Sequence, residues 1–143
     1  MIDNRIEPGT ETAEHAWHGL RVLLLERHDR RKEVSEALGM SFNRVKALRR
    51  IAAQPRTLRS LAEFMVIDAP YATVIVDDLA KRGLVERTAN PADRRSKLVR
   101  VTPRGQAAAD EANRILDTPP AALLALPPDE LAALDRIVTR LLD

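Results

Sequence analysis

Apolar residues recur at helical spacing along most of this chain. A broad apolar face begins at about Glu11 and continues to about Lys32, which predicts a first helix after an arm without periodicity over residues 1–10. Ser41 is a good N-cap for a second helix, whose apolar stripe ends before Gln54. The N-terminal part of the chain is therefore predicted to be helical.

Two short helices, separated by only a few residues, follow this region. Thr57 is the predicted N-cap of the first helix and Asp68 that of the second, where Pro70 is tolerated in the first turn. Gly83 follows the second helix at the position where a left-handed backbone is usual. The apolar positions of both helices are spaced one turn apart, so both are expected to pack against one core.

A β-hairpin is predicted after this helix pair. Residues 84–87 and 97–101 have the composition of β-strands, and the stretch from Thr88 to Ser96 between them is charged and rich in turn-forming residues. Thr102 is then a good N-cap for a further helix. A helix, a tight turn, a second helix and a hairpin, in this order, form a winged helix-turn-helix.

The predicted fold class is mainly α: a winged helix-turn-helix with six helices plus a two-stranded β-hairpin wing, dimerising through its N- and C-terminal helices. Thr118-Pro119-Pro120 divides the C-terminal helices. The apolar stripe of the last helix exceeds what the core over residues 48–101 needs, so we expect it to form a homodimer interface. The residues of this expected interface are Leu131, Leu134, Ile137, Val138 and Leu141. The expected domains are a flexible arm (1–10), an N-terminal dimerisation helix (11–40), a winged helix-turn-helix DNA-binding module (41–102) and C-terminal dimerisation helices (103–143).

Charge is distributed unequally along the chain, although its net value is only +2. Residues 44–105 hold 14 basic and 6 acidic side chains, a balance of +8, whereas residues 1–43 have a balance of −2 and residues 106–143 one of −4. A basic centre between acidic ends indicates a central module that faces a polyanion. Taken alone, the charge is equally compatible with a solvated surface.

Several classes of protein do not fit the sequence. The chain has no cysteine and no apolar run of about 18 residues, so we expect a cytoplasmic protein without disulfides, thiol chemistry or a membrane span. It has no glycine-rich phosphate loop and no nucleophile elbow, and Asp77 and Asp78 are adjacent on a helix and so point in different directions. We therefore expect neither an enzyme nor a cofactor.

Three histidines fall in the first predicted helix. His15 and His18 are one helical turn apart and can share a metal, but no cysteine or carboxylate cluster completes a set of ligands. We expect surface or interface histidines and no metal site.

The winged layout assigns roles in binding double-stranded DNA. The second helix of the pair enters the major groove, and the hairpin lies along the backbone, where an arginine at its tip reaches the narrow minor groove. Cationic and hydroxyl groups at the start of the preceding helix suit phosphates. The residues with these expected roles are Arg56, Thr57, Arg59, Arg94, Arg95 and Lys97.

Four segments of the central region resemble the signature of the MarR (multiple antibiotic resistance regulator) family in order and spacing. They are Leu61-Ala62-Glu63, Val76 to Arg87, Asn90 to Arg95 and Val101-Thr102-Pro103-Arg104-Gly105. The resemblance extends over about residues 11–143 and implies a dimeric transcription factor. Residues 93–95 are similar to the family's Asp-x-Arg wing motif, which implies that Arg95 inserts in the minor groove and that Asp93 holds it by an ion pair.

Three features depart from the family pattern. Val66 stands where the turn between the paired helices usually has glycine, and because a β-branched residue resists a positive φ, we expect the turn to take another conformation. Val74 and Asp78 stand where arginines are common in the recognition helix, and an aspartate near a phosphate would lower affinity. Pro119-Pro120 is expected to kink or divide a helix that is continuous in most relatives.

The remaining reading face of the recognition helix suits thymine methyls and a base edge or phosphate, and it offers no arginine for guanine. Its residues are Ala69, Tyr71, Thr73 and Val74. DNA binding is thus expected to depend on the wing and on DNA shape. The alternative is a winged-helix dimer with weakened DNA binding that acts as a protein-interaction or ligand-responsive module.

The resemblance also implies an effector. Relatives commonly bind small aromatic anions in a crevice between the dimer helices and the recognition module, and these ligands release them from DNA. The candidate ligand-binding residues are Trp17, His18, Phe42 and Tyr71, with Arg49 as a counter-charge. Simple core packing is the alternative for Trp17 and Phe42. The expected function is a sequence-specific repressor that binds a pseudo-palindromic operator as a homodimer.

Overall fold

The computed structural model describes residue 7 and residues 9–143 of the chain, so most of the predicted arm over residues 1–10 lies outside the described residues. The fold combines α-helices with one small antiparallel sheet. The helices are α1 (Thr10–Val22), α2 (Arg30–Leu38), α3 (Phe42–Ala53), α4 (Leu58–Met65), α5 (Ala69–Lys81), α6 (Pro103–Asp117), α7 (Ala121–Leu124) and α8 (Pro128–Leu142). The strands are β1 (Arg56–Thr57), β2 (Val85–Ala89) and β3 (Lys97–Val101).

The first predicted helix divides in two. A π-helical turn over Leu23–Arg27 continues α1, and the backbone leaves helical geometry at His28. Asp29 then caps α2, because its carboxylate accepts a hydrogen bond from the backbone N–H of Arg31 at 3.0 Å. The first predicted helix was expected to end at about Lys32, but Lys32 lies inside α2, a separate helix that begins after the cap at Asp29.

The predicted helix starts in the central and C-terminal regions are confirmed. Ser41 caps α3, Thr57 caps α4, Asp68 caps α5 and Thr102 caps α6, each by a side-chain oxygen that accepts a backbone N–H three residues further on. Gly83 follows α5 with a φ of 74°, in the left-handed region that favours glycine.

The turn between α4 and α5 differs from the prediction. Val66 adopts the left-handed conformation, with φ 56° and ψ 48°, although a β-branched side chain disfavours it. The surrounding hydrogen bonds hold the backbone there: the N–H of Val66 donates to the carbonyl of Glu63, and that of Ile67 donates to the carbonyl of Ala62. Val66 thus adopts the left-handed conformation that a glycine would adopt at this position.

The wing belongs to a three-stranded sheet rather than a two-stranded hairpin. Strands β2 and β3 pair with Val85 opposite Val101 and Ala89 opposite Lys97, and β1 adds to the other edge of β3. Because β1 runs directly into α4, this pairing attaches the start of the helix-turn-helix to the wing.

The core is aliphatic and lies where α2, α3, α5 and α6 meet the sheet. Its largest fully buried side chains include Leu48, Ile51, Leu61, Ile75 and Leu79. No polar or charged residue is buried in the part of the chain that the structure describes, so the core is held by apolar contacts alone.

The C-terminal helices are separated at Pro119-Pro120, as predicted, with α6 ending at Asp117 and the short α7 beginning at Ala121. Neither α1 nor α8 packs extensively against another helix of the described protomer. No helix among the described residues is both long and apolar enough to cross a membrane.

Candidate nucleic-acid interface

The tip of the wing is built by two successive turns. The side-chain oxygen of Asn90 accepts a hydrogen bond from the N–H of Ala92 at 3.1 Å, and that of Asp93 accepts one from the N–H of Arg95 at 2.9 Å. The amide nitrogen of Asn90 also donates to Ser96 Oγ at 2.9 Å, which closes the base of the tip. These bonds give the loop a defined backbone and leave Arg94 and Arg95 exposed.

The relation between Asp93 and Arg95 differs from the expectation. The Asp93 carboxylate bonds the backbone N–H of Arg95, and the described structure has no ion pair between the two side chains. Asp93 therefore shapes the turn that carries Arg95, and the guanidinium extends from the tip without that partner.

A groove of about 480 Å³ separates the wing from the start of α4. Four cationic side chains line it, together with Thr57, Asn90 and Asp93. The lining cations are Arg59, Arg87, Arg95 and Lys97. This arrangement forms a positively charged surface between the two elements that were predicted to contact the DNA backbone.

The predicted contacts at the start of α4 have structural partners of their own. Arg56 Nε donates to the carbonyl of Arg50 at 3.2 Å, and Thr57 Oγ1 accepts the Ser60 N–H at 3.1 Å. Arg59 pairs with Glu63 at 3.2 Å, but both side chains are largely exposed, so this pair is easily exchanged for other contacts.

The outward face of α5 has few cations. Ala69 and Val74 are exposed, as predicted for a reading face, and Val74 is 53% exposed. Thr73 is half-buried, and its hydroxyl donates to the carbonyl of Ala69 at 3.1 Å. Asp77 and Lys81 also lie on this face, and the sequence prediction did not include them as contacts.

Tyr71 does not belong to the exposed face on which it was predicted. It is half-buried and packs against the core, and its hydroxyl accepts a hydrogen bond from Asn43 Nδ2 at 3.1 Å. At roughly 100° per residue, Tyr71 lies on the flank of α5 that faces α3. Its aromatic ring therefore packs between α5 and the core and is not part of the outward face.

Both aspartates of α5 are ion-paired. Asp77 pairs with Arg87 of β2, which joins the recognition helix to the wing. Asp78 Oδ2 accepts hydrogen bonds from Arg44 Nε and Arg82 Nε, each at 2.8 Å. The bond from the Arg82 guanidinium, with that from Arg44, lowers the pKa of the Asp78 carboxyl below its usual value, so it is ionised at neutral pH.

These partners were missed by sequence reasoning for different reasons. Asp78 and Arg82 are spaced i,i+4 on one helix, a pattern that could have been noticed. Arg44 is 34 residues away from Asp78, and no local pattern signals that contact.

The candidate effector residues do not line one cavity of the described protomer. Trp17 on α1 is 70% exposed, and His18 Nδ1 is 3.4 Å from Arg21 Nη2 on the same helix. Phe42 packs against the core, as the alternative for that residue predicted. Among the described residues, no group of three or more His, Asp or Glu side chains is placed to hold a metal.

Arg49 lies apart from the aromatic candidates, in a groove of about 430 Å³ along α3. Its Nε donates to Asn113 Oδ1 at 2.6 Å. Beside it, the Arg50 guanidinium stacks on the Phe64 ring at 3.1 Å from the centroid. Burial, and then the nearby charges of Arg56 and Arg49, lower the pKa of Arg50.

The expected dimer residues form one stripe on α8. Leu131 and Leu134 are half-buried, whereas Ile137, Val138 and Leu141 are exposed in the protomer. Exposed fractions of 51% for Ile137, 40% for Val138 and 73% for Leu141 leave a contiguous apolar patch on the protomer.

Comparison with known proteins identifies the central region. Residues 40–97 match the model of the MarR family. No curated protein matches the chain.

Solved structures match over most of the chain. Wild-type MarR from E. coli in its apo form is 24% identical, with a TM-score of 0.71 over 91% of this chain and 96% of that one. A structure of the Multiple Antibiotic Resistance Repressor, MarR, is 26% identical, with a TM-score of 0.69 over 86% and 94%. A point mutant of S. aureus MepR, solved bound to an oligodeoxyribonucleotide, is 17% identical, with a TM-score of 0.65 over 91% and 95%.

These matches confirm the predicted fold class, a mainly α winged helix-turn-helix. They also agree with the family resemblance found in the sequence. The family model over residues 40–97, the solved structures and the signature segments of the sequence thus agree in one similarity, that of this chain to proteins of the MarR family.

Proposed function

We propose that this chain is a sequence-specific DNA-binding repressor that acts in the cytoplasm as a homodimer on a pseudo-palindromic operator. The observation that carries the proposal is the wing: a loop held by two turns presents Arg94 and Arg95 to solvent beside a cation-lined groove. Such a surface suits the phosphate backbone and the minor groove. The oligonucleotide complex of MepR supports the same use of the fold.

The distribution of charge suggests which element contacts which part of the DNA. The wing and the start of α4 bind phosphates, whereas the exposed face of α5, with Ala69 and Val74, enters the major groove and contacts thymine methyls. Because this face has no arginine, affinity depends more on the wing than on α5. In a two-fold dimer the two recognition helices lie about 34 Å apart, one turn of DNA.

Binding of the purified protein to genomic DNA fragments, at two salt concentrations, tests the proposal directly. We expect enrichment of a small set of fragments that share an inverted repeat, and affinity that falls steeply with salt. Uniform, weak binding to all fragments would instead support the alternative of a protein-interaction or ligand-responsive dimer, which the acidic Asp77 and the missing arginines on α5 favour.

Arg95→Ala tests the wing. We expect about tenfold weaker binding to an enriched fragment in fluorescence anisotropy, a change of about 1.4 kcal/mol, because the variant removes a cation from the electronegative minor groove. Arg136→Ala removes the same charge from the polar face of α8 and serves as the control, with affinity close to wild type. Equal affinity of wild type and Arg95→Ala would show that the wing does not bind DNA in this way.

Release by a small aromatic anion is a further part of the proposal. Arg49 lies with Lys46, Arg50 and Phe64 in the groove along α3, and Trp17 and His18 are exposed on α1. Titration of the protein–DNA complex with aromatic carboxylates tests it. Release that is lost in Arg49→Ala, with DNA binding kept, would support this placement of the counter-charge.

A further inference from the structure

One flank of the recognition helix is attached to the start of α3 by consecutive bridges. Tyr71 and Asp78 are seven residues apart and so lie on the same side of α5. They bond Asn43 at 3.1 Å and Arg44 at 2.8 Å, two neighbouring residues of α3. Both contacts are partly buried, at the edge of the face proposed to enter the major groove.

Asp78 is the centre of the larger of these bridges. One of its oxygens accepts from Arg44 and from Arg82, whose own side chains extend the network. Arg44 Nη1 donates to Ser41 Oγ, the N-cap of α3, at 3.0 Å, and Arg82 Nη1 donates to the carbonyl of Gly39 at 3.1 Å. One carboxylate thus connects the end of α5 with the turn between α2 and α3.

The charges in this cluster make the carboxylate necessary. Arg44 and Arg82 have 23% and 39% exposed side chains and approach the same oxygen atom, so their guanidinium groups repel each other unless a negative charge lies between them. An asparagine at this position could accept a hydrogen bond, but it would not offset that repulsion.

We propose that Asp78 is a positioning residue of the DNA interface, which sets the orientation of α5 by holding Arg44 and Arg82 against the turn between α2 and α3. This inference rests on the proposed function. By its charge alone, Asp78 would only repel DNA; the proposed role is structural. The carboxylate is occupied by two arginines and is turned toward α3, so its charge is neutralised within the protein.

Positioning and simple charge repulsion predict opposite changes in the operator affinity of Asp78→Asn. Asp78→Asn removes a negative charge near a polyanion, which should strengthen binding if Asp78 acts only through its charge. We expect about tenfold weaker binding to the enriched operator fragment, since the loss of a charged hydrogen bond loosens the helix that must fit the groove. Binding to random-sequence DNA should be unchanged or tighter, so the specificity ratio falls.

The experiment measures the affinity of wild type, Asp78→Asn, Arg44→Gln and the double variant for operator and random DNA at several salt concentrations. If Asp78 acts through Arg44, the double variant loses no more specificity than the single variants. Glu86→Gln, on the exposed face of β2, makes the same charge change near the wing and should bind at least as tightly as wild type. Circular dichroism and the melting temperature verify that each variant is folded under the binding conditions.

The outcomes separate this inference from the proposed function. A lower specificity ratio in folded Asp78→Asn and Arg44→Gln supports positioning. A lower melting temperature with an unchanged ratio, or tighter operator binding by Asp78→Asn, overturns it while the proposed function stands. Failure of wild type to select any fragment overturns the proposed function and the inference together.

Discussion

Val66 shows at the level of one residue how the helix-turn-helix geometry overrides a side-chain preference. Its backbone is left-handed where α4 ends, and the Val66 side chain is 90% exposed and contributes little burial in return. A residue other than glycine in this region carries a cost of order 1–3 kcal/mol. The fold therefore tolerates strain at this turn.

Val66→Gly should relieve that strain. Against the gain stands the greater freedom of glycine in the unfolded chain, worth about 0.4–1 kcal/mol, so we expect a net increase of about 1 kcal/mol in the free energy of unfolding. Urea denaturation at fixed protein concentration measures it. The reverse change, Gly39→Val, is the matched control. It should destabilise the protein because Gly39 has a φ of 64°, and a Cβ there would meet no atom within 4 Å, so the cost arises from the backbone conformation alone. A loss of stability in Val66→Gly would show that the turn is not strained.

At the scale of elements, α6 approaches the strand side of the module more closely than a side chain allows. A Cβ on Gly105 would lie 1.9 Å from the carbonyl oxygen of Leu84 and 2.7 Å from Val101 Cγ2. The same Leu84 carbonyl accepts the N–H of Thr102 at 3.0 Å, and Thr102 Oγ1 donates to the carbonyl of Gly83 at 2.6 Å. The start of α6 is thus fixed to the end of the recognition-helix segment.

Gly105→Ala should therefore be strongly destabilising, although alanine is the better helix former. We expect a loss of roughly 2–4 kcal/mol in the free energy of unfolding, because the clash is with backbone and relief breaks the bonds of Thr102. Gln106→Ala, one position further along the exposed side of α6, should be nearly neutral. Similar stability of Gly105→Ala and Gln106→Ala in the same urea titration would contradict this close approach.

In the molecule as a whole, α1 and α8 carry apolar side chains that the described protomer leaves uncovered. Both helices project apolar side chains from the protomer, with Trp17, Ile137 and Leu141 more than half exposed. Exposed apolar surface of this kind is characteristic of subunit interfaces. The proposed homodimer covers it and places two winged modules on one DNA duplex.

A double substitution, Ile137→Asp with Leu141→Asp, tests the proposed dimer. We expect a monomer in analytical ultracentrifugation at micromolar concentration, because two carboxylates would be buried without partners. Operator affinity should fall sharply, since each monomer then binds one half-site. Arg136→Gln on the opposite face of α8 should remain dimeric. A monomeric wild type, or a dimeric double variant, would contradict the assignment of α8.

Local sequence alone sets the starts of α3, α4, α5 and α6, the β2–β3 hairpin and the order of the winged module. The caps at Ser41, Thr57, Asp68 and Thr102 are readable because each side chain bonds an N–H only a few residues away. The apolar spacing likewise depends on helical periodicity alone. The segments that resemble the MarR family signature lie in this same region.

Tertiary packing, and not the local sequence, sets the side on which Tyr71 of α5 lies and the partners that Tyr71 and Asp78 take. Tyr71 turns toward Asn43, and Asp78 is held by Arg44, because packing of α5 on α3 brings together residues 28 and 34 positions apart. The strand β1 likewise exists only because β3 offers it an edge. Such contacts depend on the three-dimensional arrangement of the elements, so no local pattern in the chain predicts them.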